Sequence, residues 1–392
     1  MRFVLAVALC ILTFGPAEAG DTKPAKLPFK VVLVVDPRIP SVSTTVVEEA
    51  LRIAANWIEV WYQKRIRFAI DRTESIDSYI TGSFRRLPVP ESWKQYSYSL
   101  DGTDTVDRFI LQQTSVLRQQ SIPELKSYVP DAVKPLITTP EDAAKNLLHF
   151  YDAKFRLWKS LRTPAGVPYF DTSLPQKHSY WYWERIFESF TPEQVKDHLL
   201  ITNVPLLDDA LADAPPHSLL RGGLLNGMAE EECPQAIIST FPTFTDIPAI
   251  SDLRDTSVFS ANDRVLALAH IIAHEFGTHV VQGYKDVYDH DACLAVPASG
   301  LNYVAMLKRL KSGAPCKLDH PKFNRQTNMA DRYESLARRY LDIKDYKSAR
   351  DDAQIALDID PSRTILKLMV KDLDSKLKSK TKTKSKPKSK AK

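Results

Sequence analysis

Three patterns of apolar and polar positions divide this chain into elements. Lys30-Val31-Val32-Leu33-Val34-Val35-Asp36 is a continuous apolar run, which predicts a buried strand, and Pro37 and Pro40 end it. Over residues 43–63 the apolar side chains Val46, Val47, Ala50, Leu51, Ala54, Ala55, Ile58 and Trp61 fall on or near one side of a helix. Residues 65–70 alternate and predict a second strand, so the order is strand, long helix, strand: a βαβ unit with a right-handed crossover. Helical periodicity returns at 106–120 and 140–161, inside a stretch of 85–190 that is rich in aromatics and proline. Trp181-Tyr182-Trp183 in that stretch reads as packing. Further strands are expected at 198–204 and 235–240, on either side of the Gly-rich Arg221-Gly222-Gly223-Leu224-Leu225-Asn226-Gly227-Met228-Ala229. No Gly-Lys-Ser/Thr follows those glycines, which argues against a phosphate loop, and the run Glu230-Glu231-Glu232 reads as solvated.

Residues 266–281 break the rule that apolar helices carry apolar residues. The run is Leu266-Ala267-Leu268-Ala269-His270-Ile271-Ile272-Ala273-His274-Glu275-Phe276-Gly277-Thr278-His279-Val280-Val281. Three histidines and a glutamate on such a helix are costly to bury without a partner, and a metal ion is the usual one. The core reads His-Glu-x-x-x-His. The zinc-peptidase motif is His-Glu-x-x-His, with two ligands four residues apart on one face and the Glu as general base. On a regular α-helix a spacing of five rotates the second His away by about 140°. A π-bulge, expected at Gly277-Thr278, holds one more residue in the turn and brings His274 and His279 back to one face. Zinc peptidases of the dipeptidyl peptidase III type have this longer spacing. The rival pair His270 and His274 has the shorter spacing, but its Glu follows the second His, so His270 reads as core or as support behind the ligands.

Composition sets the setting. The chain has 392 residues, 44% hydrophobic and 26% charged, ordinary for a globular protein of one large or two medium domains. Residues 1–19 form a secretory signal: Arg2, an apolar run over 3–14, then Ala17-Glu18-Ala19 as a cleavage site. That run is too short to span a bilayer and no other stretch reaches the length, so no transmembrane segment is expected. The expectation is a secreted, soluble protein, extracellular or, in a bacterium, periplasmic. Net charge is +5, but nine lysines at every second position from Lys376 to Lys392 carry it, and without them and Arg2 the body stands at −5. Such a tail is expected to be disordered, either solvated or held to an anionic surface, with no specific nucleic acid partner.

The order of these pieces resembles the zincin metallopeptidases: a βαβ start, the strand His198-Leu199-Leu200-Ile201-Thr202, a Gly-rich turn ending near Met228-Ala229 and Cys233, another strand, then Ala273-His274-Glu275-Phe276-Gly277. Within them it is similar to the metzincins, of the adamalysin/reprolysin or snapalysin-like kind, over roughly 28–76 and 195–310. The resemblance implies an α+β zincin-like catalytic domain that binds Zn2+ and cleaves protein or peptide substrates. It makes His274 and His279 ligands and Glu275 the base. In metzincins a Gly ends the ligand helix and a third ligand follows three residues later. Gly283 takes the place of that Gly, and Asp286 stands three residues on. Aspartate occurs there in the snapalysin-like branch, and deuterolysin-type zincins also use an Asp, in Gly-Thr-x-Asp-x-x-Tyr, which Gly283-Tyr284-Lys285-Asp286-Val287-Tyr288 resembles with one residue missing. His290, in His290-Asp291-Ala292-Cys293, is the alternative and matches the His-Asp that closes the reprolysin motif. The Met beneath a metzincin zinc would be Met306, within a stretch, 301–310, that reads as helix. Residues 198–204 are expected to be the edge strand that pairs with extended substrate.

Residues 330–360 carry a separate pattern. Tyr333, Leu336, Ala337, Tyr340, Asp345-Tyr346, Ala349, Ala356-Leu357 and Pro361 fall on the positions of one tetratricopeptide repeat, and 364–377 is an amphipathic cap. One repeat cannot bury its own face, so it should pack on the catalytic body. The expected organisation is a signal at 1–19, a zincin-like domain at 28–325 with an insert around 85–190, a tetratricopeptide-like hairpin with its cap at 330–378, and a disordered tail at 379–392. The function implied is a secreted zinc-dependent metalloendopeptidase. The alternatives are a zincin-fold protein without catalysis, serving as a zinc or protein binder, and an adaptor that recruits partners through hairpin and tail.

Cleavage of the signal removes Cys10 and leaves Cys233, Cys293 and Cys316. In an oxidising compartment three thiols give one bridge and one thiol over, and Cys293 with Cys316 closes a short loop just after the histidine helix; the alternative is three buried thiols. Peptide mapping without reductant is expected to find Cys293 joined to Cys316, and a main bridge through Cys233 would sink that pairing.

Overall fold

The computed structural model describes residues 29–62, 64–79, 103–119, 121–127, 133–163, 166, 197–207, 219, 221–229, 234–251, 259–283, 294, 329–342 and 344–384. The expected signal, Trp181-Tyr182-Trp183, all of the cysteines, Asp286, His290 and Met306 lie outside the described residues.

The body is mixed α and β around one small sheet. Strand β1 (Phe29–Val35) leads into helix α1 (Thr44–Tyr62) and strand β2 (Phe68–Ser75). Helices α2 (Thr103–Leu117), α3 (Ile122–Ser127) and α4 (Pro140–Ser160) follow. Then come β3 (Leu199–Thr202), β4 (Leu206–Leu207), β5 (Leu224–Leu225), β6 (Gly227–Ala229) and β7 (Ala236–Ser239). The short helices α5 (Phe241–Phe244) and α6 (Pro248–Ser251) precede α7 (Ala261–Ile272), which runs on into a π-helix (Ala273–Gln282). Three C-terminal helices close the chain: α8 (Met329–Asp342), α9 (Tyr346–Ile359) and α10 (Thr364–Lys384).

The sheet order is β2-β1-β3-β7-β6; the first four strands are parallel and β6 is antiparallel to β7. Burial follows the sequence pattern. Val31, Val32 and Val34 of β1, Leu199 and Leu200 of β3, and Ala236, Ile237 and Ile238 of β7 are wholly buried, as expected for inner parallel strands covered on both faces. β2 alternates between half-buried and exposed along Asp71, Arg72, Thr73 and Glu74, the charged texture of an edge. Residues 198–204 are not the edge. β3 is hydrogen-bonded to β1 on one side and β7 on the other, so its backbone has no free ladder for another chain. The second edge is β6, the three residues Gly227-Met228-Ala229, paired with β7.

Buried polar groups fix where the strands end. Asn203 accepts the Asp36 amide N–H at 2.8 Å and donates to the carbonyls of Asp36 and Ile39 at 2.9 and 2.8 Å, tying β3 to the turn after β1. At the other end Arg72 donates to both carboxylate oxygens of buried Asp197, at 3.0 and 2.7 Å. The Gly-rich turn has a packing cause. Gly222, at φ 66°, lies so close to α4 that a Cβ there would sit 2.6 Å from the Lys154 Cβ, and Trp158 Nε1 donates to the Arg221 carbonyl at 2.8 Å.

The C-terminal helices pair in chain order, α8 on α9 and α9 on α10. Of the positions of the repeat pattern, Tyr333, Leu336, Ala337, Tyr340, Ala349, Ala356 and Leu357 are buried, while Asp345 and Tyr346 are half-buried and Pro361 is exposed. Lys344 at φ 61° makes the turn between α8 and α9, and Asp345 caps α9 by accepting the Ser348 N–H at 3.2 Å. Arg363 joins the start of α10 to α8 through Asp331 at 2.5 Å and Glu334 at 2.9 Å. α10 continues to Lys384, beyond the expected limit at 378: lysine is a good helix former, and Lys376 pairs with Asp372 one turn back at 2.7 Å.

The hairpin docks on the starting ends of β1 and β3. His198, just before β3, meets the Tyr333 hydroxyl through Nε2, accepts the Lys30 amide N–H at 3.2 Å through Nδ1, and lies edge-on to Phe29. With Nδ1 accepting, the proton of the neutral ring sits on Nε2 and is donated to Tyr333. Burial, and then the Lys30 charge, draws the His198 pKa from 6.5 down to about 4. Between those values the unfolded chain holds a proton that the native ring refuses, so this contribution to stability is whole above about 6.5 and is lost as pH falls toward about 4. Urea unfolding at a series of pH values is expected to show that decline in the wild type and a flatter one in His198→Gln. Equal slopes over this range would remove His198 as its source.

Candidate metal centre

The site is built on the longest unbroken helical run of the body. Ser260 caps α7 by accepting the Asp263 N–H at 3.1 Å, and its hydroxyl donates to the Asp263 carboxylate at 2.7 Å. From Ala273 the ladder changes from i→i+4 to i→i+5 and keeps that register to Gln282. Gly283, left-handed at φ 68°, ends it by donating its N–H to the Thr278 carbonyl. The extra residue per turn expected at Gly277-Thr278 is thus spread over the whole segment.

Three successive residues hold the π register. Phe276 is fully buried and lies edge-on to Phe29 and Phe68, at 5.2 and 5.3 Å between ring centres. A Cβ on Gly277 would stand 2.6 Å from Ile58 Cγ1, so only glycine lets the helix approach α1 this closely. Thr278, also fully buried, shares a 2.5 Å hydrogen bond with the Tyr62 hydroxyl at the end of α1.

This register brings His274 and His279 together. Their Nε2 atoms are 3.3 Å apart and the rings meet edge to face, centres 4.8 Å apart at 82°. Two nitrogens bound tetrahedrally to one zinc at about 2.0–2.1 Å would be roughly 3.3 Å apart, so the donor pair fits that ion. Without an ion, one ring donates its proton to the other across the same gap. Buried His274 is oriented from behind: its Nδ1 lies 2.6 Å from the Leu294 carbonyl, and donation of the Nδ1 proton there leaves the Nε2 lone pair facing His279. Ligating atoms of His274, Glu275 and His279 all lie within 4.8 Å of one another. His270 is not part of this group. It is buried, and stacks on His274 with ring centres 6.0 Å apart and planes at 10°.

Glu275 is half-buried beside the open sheet edge. A Cβ on Gly227 of β6 would meet Glu275 Cγ at 2.9 Å, so the strand backbone and the carboxylate side chain are in contact with nothing between them. Among the described residues β6 pairs only with β7, which leaves it an edge strand of the sheet. The chain leaves the helix at Gly283 and is back against His274 at Leu294, which is fully buried. Asp286 and His290 both belong to the ten residues between. Sequence reasoning missed Gly227, Tyr62 and Arg332, whose guanidinium donates to the His279 carbonyl at 2.8 Å. A glycine inside an otherwise apolar strand region was the available signal for Gly227; nothing local marks the other two.

No known protein family matches the chain, and no curated protein or solved structure matches it.

The close approach at Gly277 yields a double-mutant test. Gly277→Ala is expected to cost about 1–3 kcal/mol as the helix is forced off α1, and Ile58→Ala to cost about 2–5 kcal/mol as a buried truncation. Together they should cost clearly less than the sum, because the second change opens room for the first. Additive losses on chemical denaturation would mean that Gly277 does not set the helix separation.

Proposed function

We propose that this protein is a zinc-dependent endopeptidase, exported from the cell, in which His274 and His279 hold the metal and Glu275 is the general base. The observation that carries the reading is the π-helix: it closes a five-residue spacing to a 3.3 Å pair of imidazole nitrogens and keeps a carboxylate next to them. The spacing was the reason to consider a protein without catalysis, and the π register supports the catalytic reading over it. Asp286 is proposed as the third ligand, with His290 as the alternative; the segment that carries both is bounded by two residues at the site, Gly283 and Leu294.

Zinc held by these residues supplies Lewis acidity toward a peptide carbonyl and toward water. The chain's own groups do the rest. His274 is fixed in one tautomer by the Leu294 carbonyl, so its donor nitrogen needs no reorganisation. Glu275 takes a proton from the attacking water and passes it to the leaving amine. The open edge of β6 would offer backbone groups to an extended substrate, and the close approach of Gly227 to the Glu275 side chain supports that reading. The adaptor reading loses ground because the body and α9 already cover the apolar face of α8.

Purified protein is expected to contain zinc and to degrade a denatured protein substrate in a chelator-sensitive way. His274→Ala and His279→Ala should each lose the metal. His270→Ala should weaken binding by about 10–100-fold, as removal of a supporting group does. Asp286→Ala should lower affinity and activity together, while His290→Ala keeps the metal and part of the activity; the reverse pattern makes His290 the ligand. Glu275→Gln should keep zinc and abolish hydrolysis. Hydrolysis that survives Glu275→Gln contradicts the mechanism, and wild type that binds zinc without cleaving makes the protein a zinc-binding relative of such enzymes.

A further inference from the structure

The metal helix ends against the C-terminal hairpin, and one side chain makes that contact polar. Arg332 is 3% exposed, and its guanidinium donates to the carbonyl oxygen of His279 at 2.8 Å. Carbonyls in the last turn of a helix have no partner within it. Here the ladder stops at the left-handed Gly283, whose N–H takes the Thr278 carbonyl, the one immediately before that of His279. The His279 carbonyl is the next one along, and a cation is the favourable partner at that end of a helix dipole. The group that supplies it comes from 53 residues further along the chain.

We infer that Arg332 is a positioning residue for the metal centre: by capping the His279 carbonyl it fixes the backbone of the ligand that the π register has brought round. This makes the hairpin of α8, α9 and α10 part of the centre. The inference rests on the proposed role of His279 as a ligand. Arg332 acts on the ligand through that backbone carbonyl. Its neighbour Tyr333 docks the same hairpin through a different contact, His198 at the start of β3. The two residues therefore separate the capping of a ligand from the docking of a domain.

The test uses the full chain with three substitutions. Arg332→Met keeps the aliphatic stem and removes every donor, Arg332→Lys restores the charge with one compact head, and Tyr333→Phe loosens docking without touching His279. Zinc affinity is measured by chelator competition, ligand geometry by the visible spectrum of the cobalt-loaded protein, and the register by amide hydrogen exchange of residues 273–283 without metal. Arg332→Met is expected to lower zinc affinity by about 10–100-fold, to alter the cobalt spectrum and to speed exchange in the π-helix. Arg332→Lys should recover part of each, and Tyr333→Phe should stay near wild type in all three. Wild-type affinity and exchange in Arg332→Met overturn the inference, as does an equal loss in Tyr333→Phe, which would make the effect one of docking. If Arg332→Met does not fold, Arg332→Lys decides: reduced affinity supports the inference and wild-type affinity overturns it. A wild type that takes up neither zinc nor cobalt defeats the proposed function instead; hydrogen exchange then decides alone, faster π-helix exchange in Arg332→Met than in Tyr333→Phe supporting the inference and equal exchange overturning it.

Discussion

A helix that turns two histidines five residues apart to one face must hold one more residue in each turn than it prefers. That constraint organises the molecule. The π ladder has poorer geometry than the α ladder and survives only where its surroundings over-determine it. Here they do so on every side. Ile58 and Tyr62 of α1 press against Gly277 and Thr278, Phe29 and Phe68 at the starts of β1 and β2 enclose Phe276, and Gly283 and Arg332 finish the C-terminal end. The sheet, its first crossover helix and the hairpin thus share one task, which is to make an unfavourable register the stable one.

The starting ends of β1 and β3 are where these supports meet. Phe29 touches both Phe276 of the π-helix and His198 at the hairpin interface. His198 in turn is hydrogen-bonded to Lys30 of β1 and to Tyr333 of α8. The metal helix and the hairpin are therefore joined twice, directly through Arg332 and around this cluster of rings. Burial holds Tyr333 well above the ordinary range for a phenol, with the Asp352 carboxylate adding to the effect, so the contact is between two neutral groups.

How much of this could be read from the sequence depended on whether a residue's role was local. β1, β3 and β7 were legible because their burial is written in consecutive apolar residues, and α1 because its buried residues recur at helical spacing. The need for a π register followed from a count of residues between two histidines. β2 came out later than expected, over Phe68–Ser75, because Asp71, Arg72 and Glu74 look like loop; Arg72 belongs in a strand there because buried Asp197 is its partner. β6 was illegible for the same kind of reason. Gly227, Met228 and Ala229 have no strand pattern of their own, and without β6 the substrate edge was assigned to 198–204, which lies inside the sheet. Arg332 looked like one more charge on a polar helix, and only the tertiary structure shows it buried against a backbone carbonyl.

The order of the chain adds a dimension of time. Chains emerge from synthesis amino end first and fold in that order where they can. The two histidines, the base and both edges of the sheet are all made before residue 283, yet the last support of the ligand helix waits for residue 332. A growing chain therefore holds His274, Glu275 and His279 for some 50 residues of elongation while the helix that must align them is still open at one end. Alignment of the two histidines is therefore a late event of folding, completed only when the hairpin closes on the end of the helix.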